Sequence, residues 1–265
     1  MCLILIASHL HPEYPLIIAA NRDEFYHRPT APLAFWADHP EVLAGKDLHG
    51  TGTWLGVSDT GRIAAVTNFR DPSNDKPNPL SRGVLASHFL MGSQSPGIYI
   101  DRIRGTGDLY NGFNLIIGDI NELWWFSNIN GASLKLNAGV HGICNHLLDT
   151  PWPKLEKAKT LFRDIIMHER ALDPENIFDM LSDTEYPPED LLPDTGIGPD
   201  WERVLSPIFV LSDVYGTRSS SIILYHRSGL LSFLERTFQT PSSLPTPLET
   251  RQKDIWLKPI SRDKS

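Results

Sequence analysis

An α+β protein, two antiparallel sheets stacked face to face with helices outside, is what this sequence predicts. Three observations lead there. Its strand candidates are short and apolar at nearly every position, as suits strands covered on both faces. Turn residues punctuate them at close spacing. The order is strands, a pair of helices, more strands, a second helix pair and final strands, which fits two sheets flanked by helices.

In order along the chain, residues 3–7 and 16–20 are apolar runs joined by the polar segment His9 to Pro15. Residues 53–57 and 62–67 follow, and the gap Ser58-Asp59-Thr60-Gly61 between them is a hairpin signal. Ser81 is placed to cap a helix reaching Met91, with Val84, Leu85, Phe89 and Leu90 for its buried face. A shorter helix is expected over residues 96–103. Strands resume at 113–117, 123–126, 134–136 and 140–143. Pro153 suits the first turn of the longest helix, which should run to Glu169, with Leu155, Ala158, Phe162 and Ile166 at helical spacing. Another helix is expected over 175–181 after Asp173-Pro174. The acidic, Pro-rich stretch at 183–203 reads as a surface loop or lid. Strands at 208–211, 220–225 and 230–238 close the fold, and the polar, Pro-rich tail at 240–265 is expected to wrap the surface.

Composition narrows the function. The net charge is −8 and no block of Lys and Arg exists, which argues against nucleic-acid binding. With two cysteines, Cys2 and Cys144, no disulfide framework is expected. The N-terminal apolar run is too short for a membrane span and lacks the basic residues of a signal peptide. A reducing, cytoplasmic setting is therefore expected. The ten histidines show no metal-ligand spacing.

Cys2 is the leading candidate for chemistry. Aminopeptidases generally remove Met1 before a small residue, which would leave one residue carrying a thiol and a free α-amine. Their ordinary pKa values, about 8.5 and about 7.7–8.0, let one residue supply nucleophile and base. The alternative is a small hydrophobe opening a buried strand. Asn21-Arg22-Asp23-Glu24 follows the second apolar run, where an Arg could stabilise a thiolate and a carboxylate could orient the amine.

Met1-Cys2 with Ala20-Asn21-Arg22-Asp23-Glu24-Phe25 resembles the NRDE (transport and Golgi organization protein 2-like) family. Gly52-Thr53-Trp54-Leu55-Gly56, Val66-Thr67-Asn68-Phe69-Arg70, Cys144-Asn145-His146, Trp152-Pro153-Lys154 and Tyr215-Gly216-Thr217-Arg218-Ser219 carry the same resemblance, which runs from residue 1 to about 238. It implies one domain over 1–265 with the αββα sandwich of N-terminal-nucleophile (Ntn) hydrolases. More distantly, the chain is similar to the penicillin V acylase and bile-acid hydrolase group, cysteine amidohydrolases whose second strand ends in Arg-x-x-Asp-Phe. Aligned without a gap on Phe25, Asn21 stands where that Arg belongs and Glu24 where that Asp belongs. Either a small shift brings Arg22 and Asp23 into place, or the thiol-activating Arg is missing.

The resemblance further implies Asn145 as an oxyanion donor, Asn68 as a second, and Arg218 as a cation near the nucleophile. Two functions stay open. One is an amidohydrolase cleaving a small linear carboxamide through Cys2, with no cofactor required. The other is a non-catalytic carrier for haem or acyl-lipid ligands.

Overall fold

The computed structural model describes residues 2–168 and 171–257. Its first sheet has the order β10-β1-β2-β11-β12-β13, from Gly139–Ile143 (β10), Cys2–Ser8 (β1), Leu16–Phe25 (β2), Tyr215–Tyr225 (β11), Leu230–Phe238 (β12) and Pro247–Trp256 (β13). The second runs β3 to β9 in sequence order: Thr30–Phe35, Val42–Asp47, Leu55–Ser58, Arg62–Asn68, Phe113–Asp119, Leu123–Ser127 and Ser133–Lys135. Every ladder is antiparallel.

Side-chain alternation along each strand divides the apolar residues among three layers. Leu3, Leu5, Ile17 and Ala19 pack on Leu155, Phe162 and Ile166 of α3 (Pro153–His168) and Ile177 and Phe178 of α4 (Pro174–Leu181). Ile4, Ile6, Ile18 and Ala20 point the other way and meet Leu33, Leu43, Leu55 and Ile63 of the second sheet. Ala64, Val66, Leu115 and Ile117 bury the second sheet's far face against α1 (Gly83–Met91) and α2 (Pro96–Arg104). The four layers are therefore α, β, β and α. Strands buried on both faces explain the near-continuous apolar runs of the sequence.

Several local expectations change. Strands β3 and β4 were not expected: Pro32 interrupts one run and Gly45-Lys46-Asp47 ends the other. Residues 208–210 are buried and 211 is half-buried, but 208–211 form no strand; the Ile208 carbonyl and the Val210 amide bond side chains instead. Residues 247–256 form edge strand β13 on β12 rather than a wrapping tail, while 258–265 lie outside the described residues. The stretch at 183–203 contains a 3-10 turn at Glu189–Leu191 and most of helix α5 (Pro199–Val204). Helix α1 starts two residues later than Ser81, without a side-chain cap. Helix α3 reaches His168, and its expected end at Glu169 lies outside the described residues. No described helix is long and apolar enough to cross a membrane.

Candidate functional site at the open end of the sheets

Antiparallel pairing brings the start of β1 beside the end of β2, and the register sets Cys2 opposite Arg22 and Leu3 opposite Asn21. Directly opposed residues share a face. Cys2 and Arg22 therefore look toward the space between the sheets, and Asn21 looks toward the helices. Arg22 is 5% exposed, lies 4.4 Å over the Trp54 ring and 3.8 Å from Asp47.

Asn21 is thus not the residue beside the thiol, because one residue of register separates the two faces. Its Nδ2 donates to the carbonyls of Leu181 (2.8 Å) and Ile208 (2.9 Å), and it accepts from Ser220 Oγ (2.6 Å). Asn21 ties sheet to helix layer, and Arg22 is the residue of this segment that lies across the ladder from Cys2.

Arg218 also departs from expectation. It falls at an irregularity of the β2–β11 ladder between Thr217 and Ser219, and its Nη1 donates to the carbonyls of Phe25, Tyr26 and Arg28. It fixes the chain leaving β2 and does not line the space beside Cys2.

A cavity of about 460 Å³ opens there, lined by Cys2, Arg22, Asp23, Glu24, Asn68, Arg28, Asp47, Trp54 and Arg82 among others. Five of the eight residues singled out in the sequence meet in its wall. Asp23 is 1% exposed and accepts from Thr217 Oγ1 at 2.7 Å, while Tyr215 Oη donates to its carbonyl at 2.9 Å. Glu24 accepts from the Phe25 amide at 2.9 Å and lies 3.6 Å from Arg28. Asn68 ends β6 in the facing sheet. Asn145, just past β10, is buried beneath it: its Nδ2 donates to the Asn68 carbonyl at 3.1 Å, and its own carbonyl accepts from the Arg70 amide at 2.8 Å. Asn145 braces Asn68 and is not itself part of the cavity wall.

Sequence reasoning missed Arg28, Asp47, Trp54 and Arg82 as site residues. Loops carry Arg28, Trp54 and Arg82 there, and of the four only Trp54 lies in a motif of the sequence. Asp47 accepts from Arg28 Nε at 2.8 Å and from the amides of His49 and Gly50 at 2.9 Å each. Burial opposes its charge, but those donors hold its carboxyl below the usual range.

Burial pushes the Cys2 thiol up, and the charge of Asp23 adds to the rise. Arg22 and a hydrogen bond from the Asp23 backbone pull it back. The group is a neutral thiol that needs a base to become a nucleophile. Burial raises Cys144 as well, to about 11, on the helix-facing side away from the cavity.

A second cavity of about 500 Å³ adjoins the first, and Glu24, Asn68 and Arg82 line both. Its other walls include Phe25, Phe69, Ile197, Trp201, Leu205 and Tyr215. The segment of loop and helix α5 bearing Ile197 and Trp201 is held by a buried pair, Arg70 Nη1 to Glu202 Oε2 at 2.5 Å, with Glu202 also accepting from the Thr195 amide at 2.7 Å.

Residues 1–240 match the family model described as Transport and Golgi organisation 2. The chain belongs to that family. A Transport and Golgi organization 2 homolog of Mus musculus is 35% identical over 257 residues, covering 89% of this chain and 93% of the mouse protein. Transport and Golgi organization protein 2 of Drosophila melanogaster is 25% identical, covering 89% and 92%. Among solved structures, a C2A mutant of conjugated bile acid hydrolase from Clostridium perfringens superposes with a TM-score of 0.50 at 10% identity, over 96% of this chain and 92% of that one. At that identity the likeness gives the fold: this Transport and Golgi organisation 2 family member has the Ntn-hydrolase sandwich.

Proposed function

We propose that the protein is a cysteine amidohydrolase cleaving a small linear carboxamide through Cys2. The observation carrying the reading is the placement of Cys2 opposite Arg22 in the wall of one cavity with Asp23, Glu24 and Asn68. Removal of Met1 would free the α-amine of Cys2, whose ordinary pKa of about 7.7–8.0 suits a base near neutrality. The amine takes the thiol proton, and sulfur adds to the amide carbonyl. The developing oxyanion lies where Asn68, braced by Asn145, can donate to it, an effect worth about 3 kcal/mol in comparable sites. The proton passes to the departing amine, leaving a thioester. Water then adds to the thioester carbonyl, releasing the carboxylic acid and restoring the thiol. Arg22 supports the thiolate, and Asp23 is placed to orient the ammonium group.

Hydrolysis of a panel of N-acyl carboxamides by the native protein and Cys2→Ala tests this. Turnover lost in Cys2→Ala is expected; turnover equal in the two contradicts it.

The second reading is a carrier for an apolar ligand such as haem or an acyl-lipid, favoured by the aromatic and aliphatic walls of the adjoining cavity. A carrier retains ligand in Cys2→Ala and needs no removal of Met1.

A further inference from the structure

The cavity beside Cys2 contains cationic donors that the fold leaves unused. Nη1 of Arg22 has no hydrogen-bond partner among the described residues although the side chain is 5% exposed. The guanidinium stacks on Trp54, and its Nη2 lies 3.8 Å from Asp47, beyond hydrogen-bond reach. A buried donor left unmade is costly and calls for an explanation.

A second feature lies on the same wall. Helix α1, nine residues long, begins at Gly83 with no side-chain cap, and Ser81, Arg82 and Gly83 all line the cavity. The Val84 and Leu85 amides already donate to the carbonyls of Ser81 (3.3 Å) and Arg82 (3.0 Å), which leaves the Gly83 amide as the donor of this first turn that can attract an anion. The turn before α1 is locked in place. Thr53 N donates to Gly83 O at 3.2 Å, and a Cβ on Gly52 would fall 2.2 Å from the Gly83 carbonyl carbon. A Cβ on Gly50 would press on Ser81 Oγ at 2.7 Å and Arg28 Nη2 at 3.2 Å, so glycine keeps those donors clear.

The neighbouring acids are already engaged. Asp47 is held by Arg28 and two backbone amides, Glu24 by the Phe25 amide and Asp23 by Thr217. Arg82 gives one donor to Gly112 O at 3.0 Å and lines both cavities.

We infer that this wall, made of Arg22, Arg82 and the start of α1, is a binding site for an anionic oxygen group of the ligand, a carboxylate or a phosphate. It adjoins Cys2 and shares Arg22 with it, and it serves a hydrolase and a carrier alike. A ligand anchored there would extend past Asn68 and Glu24 into the adjoining cavity.

The test is NMR titration at low ionic strength, following the Gly83 amide and the Arg22 side chain. Acetate and inorganic phosphate are the probes and acetamide is the neutral isostere. The native protein and Cys2→Ala are both titrated, so loss of hydrolysis and loss of anion binding are read separately. Saturable shifts are expected with an anion, about tenfold tighter than with acetamide. The tighter of the two anions names the ligand class. Arg22→Gln should abolish the preference. If that variant fails to fold, Arg82→Gln, at a partly exposed position, should weaken anion binding several-fold. Equal binding of acetamide, linear shifts, or an unchanged preference in Arg22→Gln or Arg82→Gln would overturn the proposal.

Discussion

Arg22 stands directly across the β1–β2 ladder from Cys2, with its guanidinium on the thiol's face of the sheet and stacked on Trp54. The pair joins strand register to reactivity, because a positive charge there favours the thiolate that burial disfavours.

Arg22→Gln should raise the thiol's pKa further and slow alkylation of Cys2 near pH 8. Arg218→Gln, which removes bonds to the carbonyls of Phe25, Tyr26 and Arg28, should leave the alkylation profile in place. Rates of iodoacetamide labelling against pH separate the two.

Asn21→Leu should cost stability and not chemistry. The substitution strands the carbonyls of Leu181 and Ile208 and the hydroxyl of Ser220 in a buried layer. Each such group costs about 1–3 kcal/mol, so a loss of about 2–4 kcal/mol is expected after partial relaxation. Urea unfolding measures it, and Cys2 alkylation of the folded variant should match the native rate.

The buried Arg70–Glu202 pair, at 5% and 4% exposure, should behave as a latch on the loop that walls the second cavity. Glu202→Leu takes the carboxylate away from the buried Arg70 guanidinium, a loss of about 3–5 kcal/mol. Arg70→Met combined with Glu202→Leu should recover most of it. Hydrogen exchange should quicken around residues 195–205 in the single variant first.

Glu235 gives a pH signature. It is 2% exposed between the sheets, accepts from the Leu33 amide at 2.7 Å, and burial raises its pKa to about 7. In the unfolded chain it titrates near 4.3. Between those values the folded state holds the proton that the unfolded state has lost, so this residue's contribution to stability falls as pH rises from about 4.3 to 7 and then levels. The full span corresponds to about 4 kcal/mol as an upper limit. Glu235→Gln should lack that slope in urea melts taken across the range.

Much of this was legible in the chain. Buried strands announced themselves as apolar runs, and the helix face of α3 followed its 3.6-residue period. Strand β13 was not, because an edge strand reading Leu-Glu-Thr-Arg-Gln-Lys-Asp has charge where a core strand has pattern, which also protects the edge. Residues 208–211 look like a strand because apolar content reports burial and not backbone conformation. At the site, Cys2 and the segment 21–24 were visible, but which of Asn21 and Arg22 faces the thiol depends on ladder register. Arg82 reaches the cavity through a loop whose course no local pattern encodes, and Asp47 through the end of β4, a strand that no apolar run announces.

The most direct test of the central claim is intact-mass analysis of the purified protein before and after a thiol-directed acylating probe. The account predicts a chain lacking Met1 that gains a single acyl group, absent in Cys2→Ala. A chain that keeps Met1, or an adduct that does not depend on Cys2, would contradict it.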